Sequence, residues 1–284
     1  MNELHNPARH QEQGIALLLV IWALALLSAI AVAVTADGRS VRRIAHNLEQ
    51  AARDRALVEG GVRWGMAQLL DGRPDRRLPL DGRPQLIEIG TSKVEVAVEA
   101  ETGKFDLNTS QPAVLENLLL QSGATAAEAG RVSATAETFR KANRPEPGRP
   151  RRPAFLETLD LRRVTGLDEE LYRRILPYIT VYSGTARLDP TVAPKQVLLA
   201  VPGLTEGQVE AAIRARQQSP ATPAASLTTG AASNYLGPSR PTIFRIRSSV
   251  HGGTDPHITG SAIVELTGRP GAPLRLHDWM PEAR

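Results

Sequence analysis

Residues 15–34 read IALLLVIWALALLSAIAVAV, an uninterrupted apolar run in which only Trp22 and Ser28 carry a side chain able to hydrogen-bond. As a helix rising about 1.5 Å per residue, roughly 20 residues cover about 30 Å, the thickness of a bilayer's hydrocarbon core. Its twelve Leu, Ile and Val residues favour insertion by roughly 4–7 kcal/mol, at about −0.3 to −0.6 kcal/mol each. The run dominates the reading of everything downstream, because such a segment either stays in the membrane or is removed by cleavage. Ahead of it stand a short polar stretch, MNELHNPARHQEQ, and Gly14.

A secretory signal peptide ends in a small-residue cleavage site after its apolar core, and Ala33-Val34-Thr35-Ala36 offers one. The run is longer than an ordinary signal core of about 7–15 residues, however, and no loop follows it. From Thr35 the apolar positions Val41, Ala45, Leu48, Ala52, Ala56, Val62, Met66 and Leu69 recur at spacings near three and four. That period predicts a helix that continues out of the membrane and becomes amphipathic. Gly60-Gly61 is a candidate bend, since glycine weakens a helix interior.

A polar leader ending in Gly14, a hydrophobic helix starting one residue later and an amphipathic extension resemble the N-terminus of type IV pilins and type II secretion pseudopilins. The resemblance implies that a prepilin peptidase cuts between Gly14 and Ile15 and methylates Ile15, leaving the helix on the mature chain. Ile15 stands where Phe is usual. At the fifth mature position the family normally carries Glu, and here it is Leu19. A carboxylate in a bilayer is unfavourable by a few kcal/mol, and the family offsets this by pairing it with the N-terminal amine of the subunit ahead. A chain with Leu19 cannot make that pair, which suits a place at the tip and is similar to the K-type minor pseudopilins.

Length and composition fit this plan. With 284 residues, 42% hydrophobic and 23% charged, the chain can hold a membrane helix plus one large or two modest soluble domains. It has no cysteine, which excludes disulfides and thiolate chemistry. The net charge of +4 comes largely from arginines near the membrane or in a proline-rich loop, so it argues little for nucleic acid. Arg39, Arg42 and Arg43 follow the apolar run, while Arg9, offset by Glu3 and Glu12, precedes it. The positive-inside rule alone would place the bulk of the chain in the cytoplasm. The pseudopilin resemblance instead implies a single-pass inner-membrane protein with its C-terminal domain in the periplasm, and long domains do translocate regardless of charge.

Beyond the helix, the repeated Asp-Gly-Arg-Pro at 71–74 and 81–84 marks turns. Residues 85–89 and 93–98 alternate around Gly90-Thr91-Ser92, predicting a hairpin with Val94, Val96 and Val98 on one face. A helix then opens at Pro112 and ends before Gly123, and two later stretches echo it around Gly166 and Gly203. Each glycine precedes a Thr- or Asp-bearing helix start, which predicts helical hairpins. Such hairpins also bind DNA phosphates through backbone N–H groups. The DNA-binding form has a second glycine two residues on, where this chain has Thr125, Asp168 and Thr205. The hairpins are therefore read as packing and partner-binding units, and LNTSQPAVLENLLLQSG with LDPTVAPKQVLLAVPGLT resembles the insertion of the K-type pseudopilins. Residues 144–153, RPEPGRPRRP, form a solvated loop, and 219–241, rich in Ala, Ser, Thr, Pro and Gly, a flexible linker. Strands return at 242–250, 261–267 and 275–279.

The expected fold is α+β: a pilin-like long N-terminal helix on an antiparallel sheet, with a large inserted all-α domain. Its parts are a leader (1–14), the helix (15–70, transmembrane to 34), a first part of the sheet domain (71–104), the helical insertion (105–218), the linker (219–241) and closing strands (242–284). No Gly-x-Ser-x-Gly elbow, P-loop or HExxH motif is present, so no enzyme is expected. His251, Asp255 and His257 in HGGTDPH offer a metal set or an exposed loop. Glu99, Glu101, Asp106 and Asp189 are candidate calcium ligands without EF-hand spacing, and no cofactor is required. The resemblance implies as partners the I-, J- and H-type minor pseudopilins, the major pseudopilin, prepilin peptidase and the inner-membrane secretion platform. The competing readings are a membrane-anchored helix-hairpin-helix protein for DNA uptake and a signal-anchored periplasmic enzyme.

Overall fold

A computed structural model describes residues 8–71, 73, 78–143, 152–218, 227, 230–250 and 258–283; the side chains of 8–16, 31–42, 218 and 281–283 lie outside the described set. The chain forms two compact units, Met1–Ala56 and Leu57–Arg284. One helix, α1 (Ala8–Leu70), runs through the first into the second. In the first unit the described apolar side chains, from Leu17 to Ile30 and again at Ile44 and Leu48, are exposed.

In the second unit the end of α1 covers one face of a five-stranded sheet in the order β1-β2-β5-β6-β7. The strands are β1 (Gln85–Ile89), β2 (Ser92–Ala100), β5 (Ile243–Val250), β6 (Ile258–Leu266) and β7 (Leu274–Ala283), each antiparallel to its neighbours. The alternation read from the sequence sets the faces, because successive strand residues point to opposite sides. Val94, Val96, Val98, Phe244, Ile246, Ala262 and Val264 are buried against Val58 and Val62 of α1. The glycine pair expected to bend α1 falls inside the continuous helix, and contact explains Gly61. A Cβ there would lie 2.2 Å from the Ser248 hydroxyl oxygen and 2.9 Å from a Val94 methyl, so only glycine lets the helix settle onto the sheet at this point. At Gly65 the same construction meets Ile246 at 2.8 Å.

Between β2 and β5 the chain leaves to build a second core. Ala100 pairs with Phe244, so the last residue of β2 and the second residue of β5 are neighbours. An insertion whose ends are already adjacent does not disturb the sheet that hosts it. It holds β3 (Phe105–Asp106), α2 (Pro112–Gln121), α3 (Ala126–Ala142), α4 (Leu159–Thr165), α5 (Glu169–Ile175), β4 (Ile179–Thr180), α6 (Lys195–Leu199) and α7 (Glu206–Gln218). Strands β3 and β4 form a short parallel pair. Phe105, Leu115, Leu118, Leu119, Phe155, Leu161, Ile175, Val197 and Leu198 lie at the centre of this core.

The span 219–241 departs from the expected flexible linker wherever it is described. Leu227, Ala232 and Leu236 are buried in the helical core, Gly230–Asn234 is a 3-10 turn, and Leu236 bridges Leu188 in parallel. Its small and polar composition hid a few well-spaced apolar anchors, and composition alone does not report which residues bury. The segment at 251–257 and most of the 144–153 loop lie outside the described residues.

Candidate functional site

Leu19 sits in α1 and is 64% exposed. The side chains at the processing site, Gly14 and Ile15, and at both ends of the apolar run, 15–16 and 31–34, lie outside the described residues. Among the described residues no helix is long and apolar enough to cross a membrane.

The three hairpins join α2 to α3, α4 to α5 and α6 to α7. Each turn holds a glycine in the left-handed region: Gly123 at φ 101°, Gly166 at φ 66° and Gly203 at φ 88°. The residues two places on cap the helices that follow. The Thr125 hydroxyl oxygen accepts from Glu128 N–H at 3.2 Å. The Asp168 carboxylate accepts from Glu170 and Leu171 N–H at 2.8 and 3.3 Å. Thr205 accepts from Gln208 N–H at 3.4 Å while Gln208 Oε1 accepts from Thr205 N–H at 2.9 Å, a capping box. Bonds from Glu170 N–H and then Leu171 N–H hold the Asp168 carboxyl below the usual aspartate range. A phosphate would need these same N–H groups, so at the α5 start a carboxylate already occupies the place of the anion.

The four acidic residues considered for calcium do not form one site. Asp106 Oδ1 accepts from Asn108 and Thr109 N–H at 2.7 and 3.2 Å, and its Oδ2 from the Ser183 hydroxyl and Gly184 N–H at 3.0 and 2.9 Å. Asp189 accepts from Thr191 N–H and hydroxyl at 2.9 and 2.6 Å and from Ser239 N–H and hydroxyl at 3.2 and 2.7 Å. Both carboxylates organise loops, and the second ties residue 239 to the helical core. Glu99 and Glu101 instead meet cations. Lys104 Nζ lies 2.7 Å from Glu99 and 3.0 Å from Glu101. Arg245 Nε lies 3.2 Å from Glu101, and Arg247 pairs with Glu99. Thr180 donates its hydroxyl to the other Glu101 oxygen. No group of three or more metal-binding His, Cys, Asp or Glu exists among the described residues.

Burial opposes the charge on Glu101, but Lys104 and Arg245, with the Thr180 hydroxyl, more than offset it and hold the carboxyl below the usual glutamate range. This cluster lies where the insertion leaves the sheet, and a crevice of about 470 Å³ lined by Lys104, Tyr172, Tyr182, Arg245, Arg247 and Asp278 opens beside it. Arg245 and Arg247 escaped the sequence reading as members of this cluster because their partners lie 144 and 148 residues away. The available signal was Arg245 and Arg247 two apart on a strand, both on the face away from α1.

No family model matches the chain. Type II secretion system protein K of Pectobacterium carotovorum subsp. carotovorum is 29% identical to it over 207 residues, 60% of this chain and 63% of that one. In sequence and in fold, the chain resembles type II secretion system protein K. The chain spans about 63% of the length of that relative. The fold likeness is to the crystal structure of the GspK-GspI-GspJ complex from the enterotoxigenic Escherichia coli type 2 secretion system. There the TM-score is 0.51 at 13% identity, over 85% of this chain and 99% of the other. The likeness to protein K thus takes in the mixed architecture described above, a long N-terminal helix, an antiparallel sheet and a helical insertion.

Proposed function

We propose that this protein is a K-type minor pseudopilin of a type II secretion system, a structural subunit and not an enzyme. On this reading prepilin peptidase removes residues 1–14 and methylates Ile15, residues 15–34 anchor the chain in the inner membrane, and the folded domain lies in the periplasm. The subunit starts a short pseudopilus with the I-, J- and H-type minor pseudopilins and sits at its tip, ahead of the major pseudopilin and above the inner-membrane platform. The observation that carries the reading is the helical domain inserted between the paired strands β2 and β5 of a sheet packed on a long N-terminal helix. A domain of that size on the sheet would obstruct subunits stacked ahead of it, which agrees with Leu19 in place of the pairing Glu. The side-chain caps at Thr125, Asp168 and Thr205 weigh against DNA uptake, because they occupy the donors a phosphate would use.

The test is intact mass and N-terminal sequencing of the protein from membranes, with and without active prepilin peptidase. A start at methylated Ile15 supports the reading. A start near residue 37, or an intact Met1 in the presence of the peptidase, overturns it.

A further inference from the structure

The sheet ends in two edges, β1 and β7, and they are built differently. An open edge strand offers unpaired backbone groups to any passing strand, and proteins deter this with bulges, prolines and charge. The β7 edge has such devices: its pairing with β6 shifts register between Ile263 and Val264, and its sequence LRLHDWMPEA includes Pro281, which has no N–H to offer. His277, at the shift, is held by Glu265 at 2.8 Å.

The β1 edge has neither a bulge nor a proline, and its one charge is Glu88. QLIEI contains no proline, glycine or cationic residue, and it pairs with β2 one to one from Gln85↔Val96 to Ile89↔Ser92 without a shift. Ile89 and Ser92 close a two-residue turn at Gly90, φ 61°, so they are a hydrogen-bonded pair. Antiparallel ladders alternate, which turns the N–H and C=O of Leu86 and Glu88 away from β2. Leu86, the apolar second residue of this edge, is 61% exposed.

We propose that the outer edge of β1 takes a strand from a neighbouring pilin-like subunit, extending the sheet across the subunit boundary. Size selects the occupant. Five residues at about 3.4 Å each give an edge of about 17 Å. Two copies joined by such edges alone would bury on the order of a few hundred Å², well short of the roughly 1,200 Å² of a stable interface. The edge therefore serves a partner already held elsewhere, for which a second contact forms at high effective concentration. This inference rests on the pseudopilin reading, in which helix packing supplies the first contact. The incoming strand would set an apolar side chain beside Leu86 and a polar or basic one beside Glu88.

The experiment uses the full-length processed chain in detergent with the I- and J-type subunits of the same secretion system. Amide-resolved hydrogen exchange is measured for the free chain and the complex, and affinity is measured for Leu86→Lys and Glu88→Pro. Glu88→Pro removes an outward N–H and leaves the β2 ladder in place, and Leu86→Lys decides the matter should the proline variant not fold. The expected result is slower exchange at Leu86 and Glu88 in the complex with β7 amides unchanged, and about tenfold weaker binding by either variant. A complex that forms with unchanged exchange at these amides, and binds both folded variants within about twofold, overturns the inference and leaves the pseudopilin reading intact. Failure of the subunits to associate overturns both. Self-association of the chain abolished by Leu86→Lys also overturns it, by making the occupant a second copy.

Discussion

Arg245 Nε, on the strand that follows the insertion, donates to the Glu101 carboxylate 3.2 Å away, at the point where the insertion begins. The bond closes the helical domain's two ends onto each other, and Lys104 and Thr180 bind the same carboxylate from inside the domain. Glu101 has no exposed surface and Lys104 only 3%, so water cannot replace a lost partner. Removing one member of a buried ionic group strands the others, at about 3–5 kcal/mol. Glu101→Gln is expected to lower unfolding stability by about 3 kcal/mol, since Lys104 keeps Glu99 as a partner. Urea titration of the folded domain checks this, and a loss below about 0.5 kcal/mol would count against a buried network.

The same carboxylate sets a pH dependence. Burial raises the cost of ionising Glu101, but Lys104 and Arg245 outweigh it, so its folded pKa lies below the ordinary value of 4.5. A depressed carboxyl pKa means that the unfolded chain binds the proton more readily than the folded one. Stability from this group is present above pH 4.5 and is lost as pH falls from there through the folded pKa. Thermal unfolding between pH 7 and 3 is expected to show that loss. In Glu101→Gln the acid-dependent slope becomes shallower, and an unchanged slope assigns it to other carboxylates.

Packing of α1 on the sheet is testable at Gly61. A Cβ would fall 2.2 Å from Ser248 Oγ and 2.9 Å from Val94 Cγ1, closer than any relaxed contact. Alanine gains about 1 kcal/mol in helix propensity over glycine, whereas forcing an atom into a filled core costs about 1–3 kcal/mol. Gly61→Ala is expected to destabilise by a net 1 kcal/mol or so. Gly130, inside α3, is the control, since its nearest neighbour would be Glu116 Oε1 at 3.8 Å. There Gly130→Ala is expected to stabilise by about 0.5–1 kcal/mol, and equal effects at the two sites would remove the close-approach argument.

Local chemistry explains which parts of this architecture were legible from the sequence. Pro112 opened α2 and Gly123 closed its turn where the residues placed them, because proline and glycine act within a few residues of themselves. The β1–β2 hairpin followed from strict alternation around Gly90. Asp106 and Asp189 read as acidic candidates, yet their donors include Ser183, Gly184 and Ser239, 77, 78 and 50 residues away. Whether a carboxylate meets a metal, a hydroxyl or a cation depends on such distant partners, which spacing along the chain does not encode. The same holds for Leu227 and Leu236: a linker-like composition concealed the residues that dock into the helical core.

The cap residues give a prediction that separates packing from phosphate binding in the hairpins. Asp168 accepts from two N–H groups at the start of α5, and loss of a cap costs about 1 kcal/mol. Asp168→Gly is expected to lower stability by only a few tenths of a kcal/mol, since glycine is itself a tolerated cap, while freeing those N–H groups. A hairpin built for packing gains no salt-sensitive DNA binding from this change, as fluorescence anisotropy with a labelled duplex at low and high salt would record. Binding that appears only in the variant would show that the carboxylate blocks a latent phosphate site.

Leu19 carries the functional reading furthest. Under the proposed function a subunit with no carboxylate at this place can have nothing ahead of it, because it offers no partner to another subunit's N-terminal amine. Leu19→Glu restores that group at the cost of placing a carboxylate in the bilayer, a few kcal/mol by insertion scales. Cleavage after Gly14 is expected to continue, since the change lies five residues beyond the cut. Tip function is expected to fall: in cells lacking the native gene, the variant would support less secretion than the parent chain while remaining processed and present in membranes. Leu19→Ile keeps an apolar side chain and is expected to secrete normally. Equal secretion by the Glu, Ile and parent chains would mean that the absence of a carboxylate at position 19 has no part in placing the subunit.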